Sequence, residues 1–201
     1  MSELFVSVEG LDGAGTTTLV QGIAESRPEY VATAEPTETA LGGQIRSNLR
    51  NTSDPVLDLL LFVADRREHL VEEIAPALES GSTVVTDRYA DSTRAYQPIS
   101  LVEETADDVF FSELQAKNYI EWLHGYWHRE PDITLYIDVP VETAIERSSL
   151  DEKYENKQFL AQARQNYHAL AEFKDRIVTI DGTQSAEAVL AESLDVIDSH
   201  E

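Results

Sequence analysis

Gly10-Leu11-Asp12-Gly13-Ala14-Gly15-Thr16-Thr17-Thr18 follows the apolar run Leu4-Phe5-Val6-Ser7-Val8 and leads into Leu19-Val20-Gln21-Gly22-Ile23-Ala24. Strand, glycine-rich turn and helix in that order are the setting of a phosphate-binding loop. The glycines let the backbone fold into a cup of N–H donors, and the helix that follows aims its positive end at an anion. Measured against G-x-x-x-x-G-K-[ST], Gly10 and Gly15 have the right spacing and Thr17 takes the magnesium-ligand position. Position 16 departs from the pattern: it is Thr, not Lys. Taken alone, the stretch also fits a plain strand-to-helix turn.

Outward from the loop, strands and helices alternate. Short apolar runs at 3–9, 30–34, 83–86, 133–139 and 176–180 read as five strands. Helical patterns fall at 16–27, 38–50, 54–80, 107–128, 140–147, 153–174 and 186–197. Asp54-Pro55 is an N-cap followed by Pro at the first helical position, and Pro76 is expected to kink or break the helix that starts there. The expected fold is α/β: a five-stranded parallel sheet with helices on both faces, in one domain of 201 residues. Strands that are solidly apolar, without alternation, suit a sheet covered on both sides. Ligands then bind beyond the carboxyl ends of the strands. That edge gathers Gly10 to Thr17, Glu35, residues 87–89 and Asp138.

Composition narrows the function. There are 38 acidic and 15 basic residues, a net charge of −23, and only four lysines, Lys117, Lys153, Lys157 and Lys174. A field this negative repels nucleic acid and anionic membranes. Depleted lysine beside abundant acid points to a salt-rich cytosol, where screening is strong. Cysteine is absent, which excludes disulfides and thiolate metal sites and fits an intracellular, cytoplasmic protein. No apolar run is long enough to cross a membrane and no signal-peptide pattern opens the chain, so neither is expected.

Two further clusters carry chemistry. At the end of the third strand, Asp87 is placed to hold a metal-bound water and Arg88 to clamp a phosphate by two prongs; the alternative is a surface ion pair. Phe62, Asp65, Arg66 and His69 share one helix face. There Phe62 offers a ring to a base and Arg66 offers donors to a carbonyl, or else Phe62 is core and Arg66 pairs with a neighbouring acid.

With these residues the chain resembles the thymidylate kinases, P-loop nucleoside monophosphate kinases, almost end to end. The similarity runs through Gly10-Leu11-Asp12-Gly13-Ala14-Gly15, Glu35-Pro36-Thr37, Leu60-Leu61-Phe62-x-x-Asp65-Arg66 and Tyr136-Ile137-Asp138-Val139-Pro140. The most specific string is Asp87-Arg88-Tyr89-Ala90-Asp91-Ser92-Thr93-Arg94-Ala95-Tyr96-Gln97. The resemblance implies a three-layer P-loop NTPase fold with a short lid at about 147–155. It implies transfer of the γ-phosphoryl group of ATP to dTMP with Mg²⁺, and a homodimer built near Phe62 and residues 107–126.

Roles carried over by position are as follows. Gly10, Leu11, Asp12, Gly13, Ala14, Gly15, Thr16, Thr17 and Thr18 cradle the ATP phosphates, with Thr17 and Asp87 on the metal. Asp12 reaches the substrate's sugar hydroxyl or phosphate side, Arg88 bridges acceptor and donor phosphates, and Arg147 is the nearest lid arginine. Glu35 and Arg46 face the acceptor, Arg46 toward its phosphate. Phe62 stacks on thymine and Arg66 reaches its carbonyl. Thr93, Tyr96 and Gln97 line the nucleoside pocket, Tyr96 crowding a 2′-hydroxyl, while Tyr154 and Glu155 close from the lid. The segment around Thr183 flanks the adenine.

Three departures from the family pattern each remove positive charge: Thr16 for Lys, Ala34 where Arg is common, and a lid segment, 148–152, without Arg. Candidate substitutes are a potassium ion in the space of the missing Lys, or Arg147 or Lys153 on lid closure. The other readings are a nucleotide-binding regulatory module without turnover, and a kinase for a different deoxynucleoside monophosphate.

Overall fold

The protein is described by a computed structural model covering residues 3–50, 54–103, 112–125, 127–148 and 157–201. The five apolar runs form β1 (Phe5–Gly10), β2 (Val31–Ala34), β3 (Val84–Asp87), β4 (Ile133–Asp138) and β5 (Ile177–Asp181). They pair in parallel in the order β2-β3-β1-β4-β5. Side chains alternate along a strand, so Phe5 and Val6 face opposite sides, and both are fully buried. Phe5 gathers with Leu70, Ile74 and Leu78, whereas Val6 and Val8 gather with Leu19, Val20 and Ile23. Each such side chain contributes about 1.5–3 kcal/mol by burial. The short, solidly apolar strands thus follow from helices on both faces.

The helices are α1 (Thr16–Ser26), α2 (Ala40–Leu49), α3 (Pro55–His69), α4 (Ala75–Glu79), α5 (Ala90–Glu103), α6 (Glu113–His124), α7 (Val141–Arg147), α8 (Lys157–Phe173) and α9 (Ala186–Asp198). Asp54 caps α3 as expected, its carboxylate accepting from the Leu57 N–H at 2.9 Å. The helix does not break at Pro76. A π-helical stretch, Leu70–Ile74, joins α3 to α4, and Pro76 falls in the first turn of α4, where a missing N–H costs little.

Two expectations change. No helix was read in the Asp-Arg-Tyr string, yet α5 runs through it with Pro98 inside. The helical pattern at 107–128 is described as α6 alone. Its start is set by a capping box in which the Ser112 N–H donates to Gln115 Oε1 at 2.9 Å and the Gln115 N–H to Ser112 Oγ at 3.3 Å. The segments 104–111, 126 and 149–156 lie outside the described residues, and with them most of the lid and the start of the 153–174 helix.

Register levels the carboxyl ends of the strands. Gly10 pairs with Ile137, Val8 with Asp87, and Asp87 with Ala34. The sheet extends from β1 through β3 to β2 on one side and through β4 to β5 on the other, so the connections change side at β1 and a crevice opens there.

Candidate active site

β1 ends at Gly10 and the loop turns immediately. Gly13 (φ 85°) and Gly15 (φ 99°) take left-handed conformations that favour glycine. Gly15 is the N-cap of α1 and has no side-chain cap, so the first-turn N–H groups of α1 face the loop and suit an anion. A Cβ on Gly13 would stand 2.2 Å from the Ala144 carbonyl oxygen; the loop is packed hard against α7. Leu11 and Ala14 are buried in the core and anchor it from below. Thr16, at the first helical residue, is 5% exposed.

Thr17 and Asp87 meet beneath the loop. The Thr17 hydroxyl donates to Asp87 Oδ2 at 2.5 Å, while Asp87 Oδ1 is buried without a hydrogen-bond partner among the described residues. An orphaned carboxylate oxygen beside a hydroxyl and an anion cup has the donor chemistry for Mg²⁺, which takes few protein ligands alongside phosphate oxygens. No group of three or more His, Asp or Glu side chains forms a metal nest among the described residues.

Arg88 follows directly and adopts φ 67°, the left-handed region for a non-glycine residue. Such strain persists only where surroundings enforce it. Its guanidinium donates to Asp12 Oδ1 (2.6 Å), the Gly10 carbonyl (3.0 Å) and Ser92 Oγ (3.1 Å), and lies over the Tyr96 ring at 5.8 Å. Burial alone would weaken its proton, but the Asp12 carboxylate outweighs that and holds it well above the ordinary value. The Tyr96 hydroxyl accepts from the Asp12 N–H at 3.2 Å. Its proton is held tightly, first by burial and then by the Asp12 charge.

Sequence reasoning missed Glu9, one residue before the loop and fully buried. Its carboxyl accepts from the Tyr89 N–H (2.9 Å), Ser92 Oγ (2.6 Å) and the Tyr167 hydroxyl (3.1 Å). Burial, then the Asp91 charge, push its carboxyl up to about 8. An acid closing an otherwise apolar strand was the available signal. Arg164 was missed as well. It clamps Asp138 through Nε (2.7 Å) and Nη2 (2.8 Å), and this pairing outweighs burial to keep the Asp138 carboxyl below the usual range.

Two cavities flank the loop. One, of about 420 Å³, is lined by Arg46, Phe62, Arg66, Thr93, Tyr96 and Gln97, and reaches Asp12, Thr17, Glu35, Asp87 and Arg88. Here the two readings of Arg66 combine. It lines the cavity, yet is 1% exposed and bonded through Nε and Nη2 to Glu35 Oε2 at 2.9 and 2.7 Å. Thr93 and Gln97 are buried in the wall, and Gln97 Oε1 has no partner among the described residues. Arg46 donates to the Pro36 carbonyl (2.9 Å) and Glu38 (3.2 Å).

The second cavity, of about 460 Å³, lies across the loop and is lined by Ala14, Gly15, Thr18, Arg147, Gly182 and Gln184. Arg147 donates to the Gly182 carbonyl at 3.0 Å and so stands on this side, away from the Arg46 and Phe62 cavity. Thr183 is turned out of the lining. Its N–H and hydroxyl donate to Asp181 Oδ1 at 2.9 and 2.6 Å, leaving Gly182 and Gln184 to form the wall. Tyr154 and Glu155 lie outside the described residues.

A sequence model of the thymidylate kinase family matches residues 8–192. A probable thymidylate kinase of Halobacterium salinarum is 40% identical over 193 residues, covering 94% of this chain and 93% of its own. One from Halorubrum lacusprofundi is 38% identical over 196 residues, covering 96% and 97%. Among solved structures, the thymidylate kinase of Ehrlichia chaffeensis superposes with a TM-score of 0.74 at 28% identity, over 98% of this chain and 99% of its own. That of Candida albicans has a TM-score of 0.84 at 24% identity, over 99% and 92%; at that identity it bears on the fold alone.

Proposed function

Because the chain belongs to the thymidylate kinase family, we propose that it moves the γ-phosphoryl group of ATP onto the phosphate of dTMP, giving dTDP and ADP. The observation that carries this is the pair of cavities on either side of one phosphate loop. A donor nucleotide fits the Arg147 and Gly182 side and an acceptor fits the Phe62 and Arg66 side, with their phosphates meeting over Gly10 to Thr18. Transfer of this kind depends on positioning and charge neutralisation more than on covalent chemistry.

In this scheme the loop N–H groups hold the donor phosphates. Thr17 and Asp87 would hold Mg²⁺, which would supply charge neutralisation for the transferred group. Arg88 exchanges Asp12 for phosphate oxygens and bridges donor to acceptor, and Arg46 exchanges Glu38 for the acceptor phosphate. Phe62 stacks on the base, Arg66 donates to its carbonyl, and Thr93 and Gln97 complete the pocket. Glu35 acts by holding Arg66. Tyr96 stands under the sugar, and Tyr154 and Glu155 close over it from a lid at about 147–155. Thr183 serves the adenine side only through its neighbours. The whole chain works as one domain.

Among the described residues Arg46, Arg88 and Arg147 each already have a partner, and Thr16 brings no positive charge. Potassium in the space a Lys would fill is the proposed substitute, tested by turnover in KCl against choline chloride at equal ionic strength. A homodimer is supported by exposed apolar side chains on α3 (Leu57, Leu60) and α6 (Leu114, Trp122), and sedimentation tests it. No helix among the described residues is long and apolar enough to cross a membrane; the cytoplasm, where ATP is at hand, is the proposed setting. ADP release with dTMP and ATP–Mg²⁺ in molar KCl tests the function. Absence of turnover from folded protein, or faster turnover with dCMP or dGMP, overturns it.

A further inference from the structure

Arg66 is held on more sides than Glu35 alone explains. Nε and Nη2 donate to Glu35 Oε2, the guanidinium lies 5.1 Å from the Tyr89 ring centre, and Nη1 meets His124 Nε2 at 2.8 Å. Arginine has no acceptor, so His124 Nε2 must accept there. That fixes the imidazole as the Nδ1–H tautomer, and Nδ1 lies 2.8 Å from the Ile120 carbonyl, to which it donates. Both sides of the ring are satisfied only by the neutral form. The surroundings agree: burial first, then the Arg66 charge, lower the His124 value to about 2. His124 is 1% exposed and sits in the last turn of α6, 58 residues from Arg66 in sequence.

We infer that His124 is a positioning residue for base recognition, fixing from α6 the direction in which Arg66 presents its remaining N–H donors to the Phe62 cavity. Glu35 holds one edge of the guanidinium and His124 holds the far nitrogen. Two N–H groups then remain without a described partner, one on each terminal nitrogen. Glu35 is itself bound by His69 Nδ1 at 3.1 Å, and His69 Nε2 meets Thr33 Oγ1 at 2.8 Å. The arginine therefore stands in a hydrogen-bonded chain from β2 to α6. Without His124, Nη1 gains an unpaired N–H in a buried site and the fork is free to tilt about its Glu35 edge. A donor aimed at a base carbonyl then loses aim, and a base bearing an amino group at that place is rejected less strongly.

This rests on the proposed role of Arg66, so the experiment separates the two. KM and kcat are measured for dTMP and dCMP in wild type, Arg66→Lys, His124→Phe and His124→Gln, with thermal midpoints recorded in the same KCl. His124→Phe is expected to raise the KM for dTMP about tenfold with kcat within about twofold, and to narrow the dTMP-over-dCMP preference by a similar factor. His124→Gln keeps an acceptor near the Nε2 position and is expected to restore both toward wild type. If Arg66→Lys leaves KM and preference unchanged, Arg66 does not read the base and the inference goes with it. If Arg66→Lys impairs both while His124→Phe, folded, impairs neither, His124 is packing only. Equal loss in the Phe and Gln variants also overturns the positioning role. Should His124→Phe not fold, the Gln variant against His124→Ala carries the comparison.

Discussion

Replacing Thr16 by Lys puts a cation at the one place in the loop where the family pattern carries it and this chain does not. The size of the effect follows from the charges at the cradle. Asp12 and Asp87 bring two carboxylates. Arg88 is bonded to Asp12 at 2.6 Å and Arg147 to a backbone carbonyl at 3.0 Å. ATP and dTMP add their phosphates to a site that has no surplus positive charge and sits in a protein of net charge −23. One preorganised charge partner at a transition state is worth about 10²–10³ in rate, or about 3–4 kcal/mol. In potassium-free choline chloride, where the proposed substitute is absent, Thr16→Lys is therefore expected to raise kcat about 10²-fold with KM for dTMP nearly unchanged, because the interaction strengthens chiefly in the transition state. The assay is coupled ADP release at saturating ATP–Mg²⁺ and dTMP, with thermal melting to show that the variant folds. A folded variant with kcat equal to or below wild type refutes the reasoning: the charge is then already supplied. A wild-type rate that climbs with KCl but not with choline chloride, alongside an indifferent variant, identifies potassium as the supplier.

Glu35→Gln leaves Arg66, 1% exposed, without its countercharge; breaking a buried pair from one side should lower stability by about 3–5 kcal/mol in denaturant titrations at fixed KCl. Glu9 predicts a pH dependence. Its folded value of about 8 lies above the ordinary 4.5, so the folded state binds the extra proton between them. That stabilisation is complete below the ordinary value and disappears as pH rises through the folded one. Glu9→Gln should flatten the fall in urea midpoint between about pH 5 and about pH 9, and an unchanged slope would assign it elsewhere. Lowering KCl from about 1 M to about 0.1 M lengthens the screening distance from about 3 Å to about 10 Å. The melting temperature should fall, and a flat profile would mean that the acidic surface carries no repulsive load.

The sheet was legible because its strands are covered on both faces and so appear as plain apolar runs between helical patterns. The loop was legible because positive φ and an uncapped helix start demand glycine at fixed spacing. α5 was not, since Pro98 and the polar run from Asp91 to Arg94 hide a helix whose polar side chains turn inward to partners: Arg94 reaches Asp91, Glu121 and Glu130. Arg66 was legible as a pocket residue but its clamp was not. Glu35 lies 31 positions away and His124 58, and only the folded topology joins them. The segment around Thr183 was legible as cavity wall through Gly182 and Gln184, while the bonds of Thr183 to Asp181 follow from local turn geometry that the motif does not show.

The bond between Asp12 and Arg88 has a consequence for how two substrates meet. Arg88 is paired with Asp12 at 2.6 Å; in the proposed scheme phosphate oxygens take the place of Asp12, so the first nucleotide to engage Arg88 would have to separate a close ion pair, and the second would find the guanidinium already released. On that scheme the two sites would be energetically coupled without any movement of the sheet, and the coupling would be the same whichever nucleotide arrives first. Bound ATP should tighten dTMP by the factor by which bound dTMP tightens ATP, and Asp12→Asn, which weakens the internal competitor, should bring that factor toward one. The loop's own acid thus makes the site reluctant to hold one substrate alone.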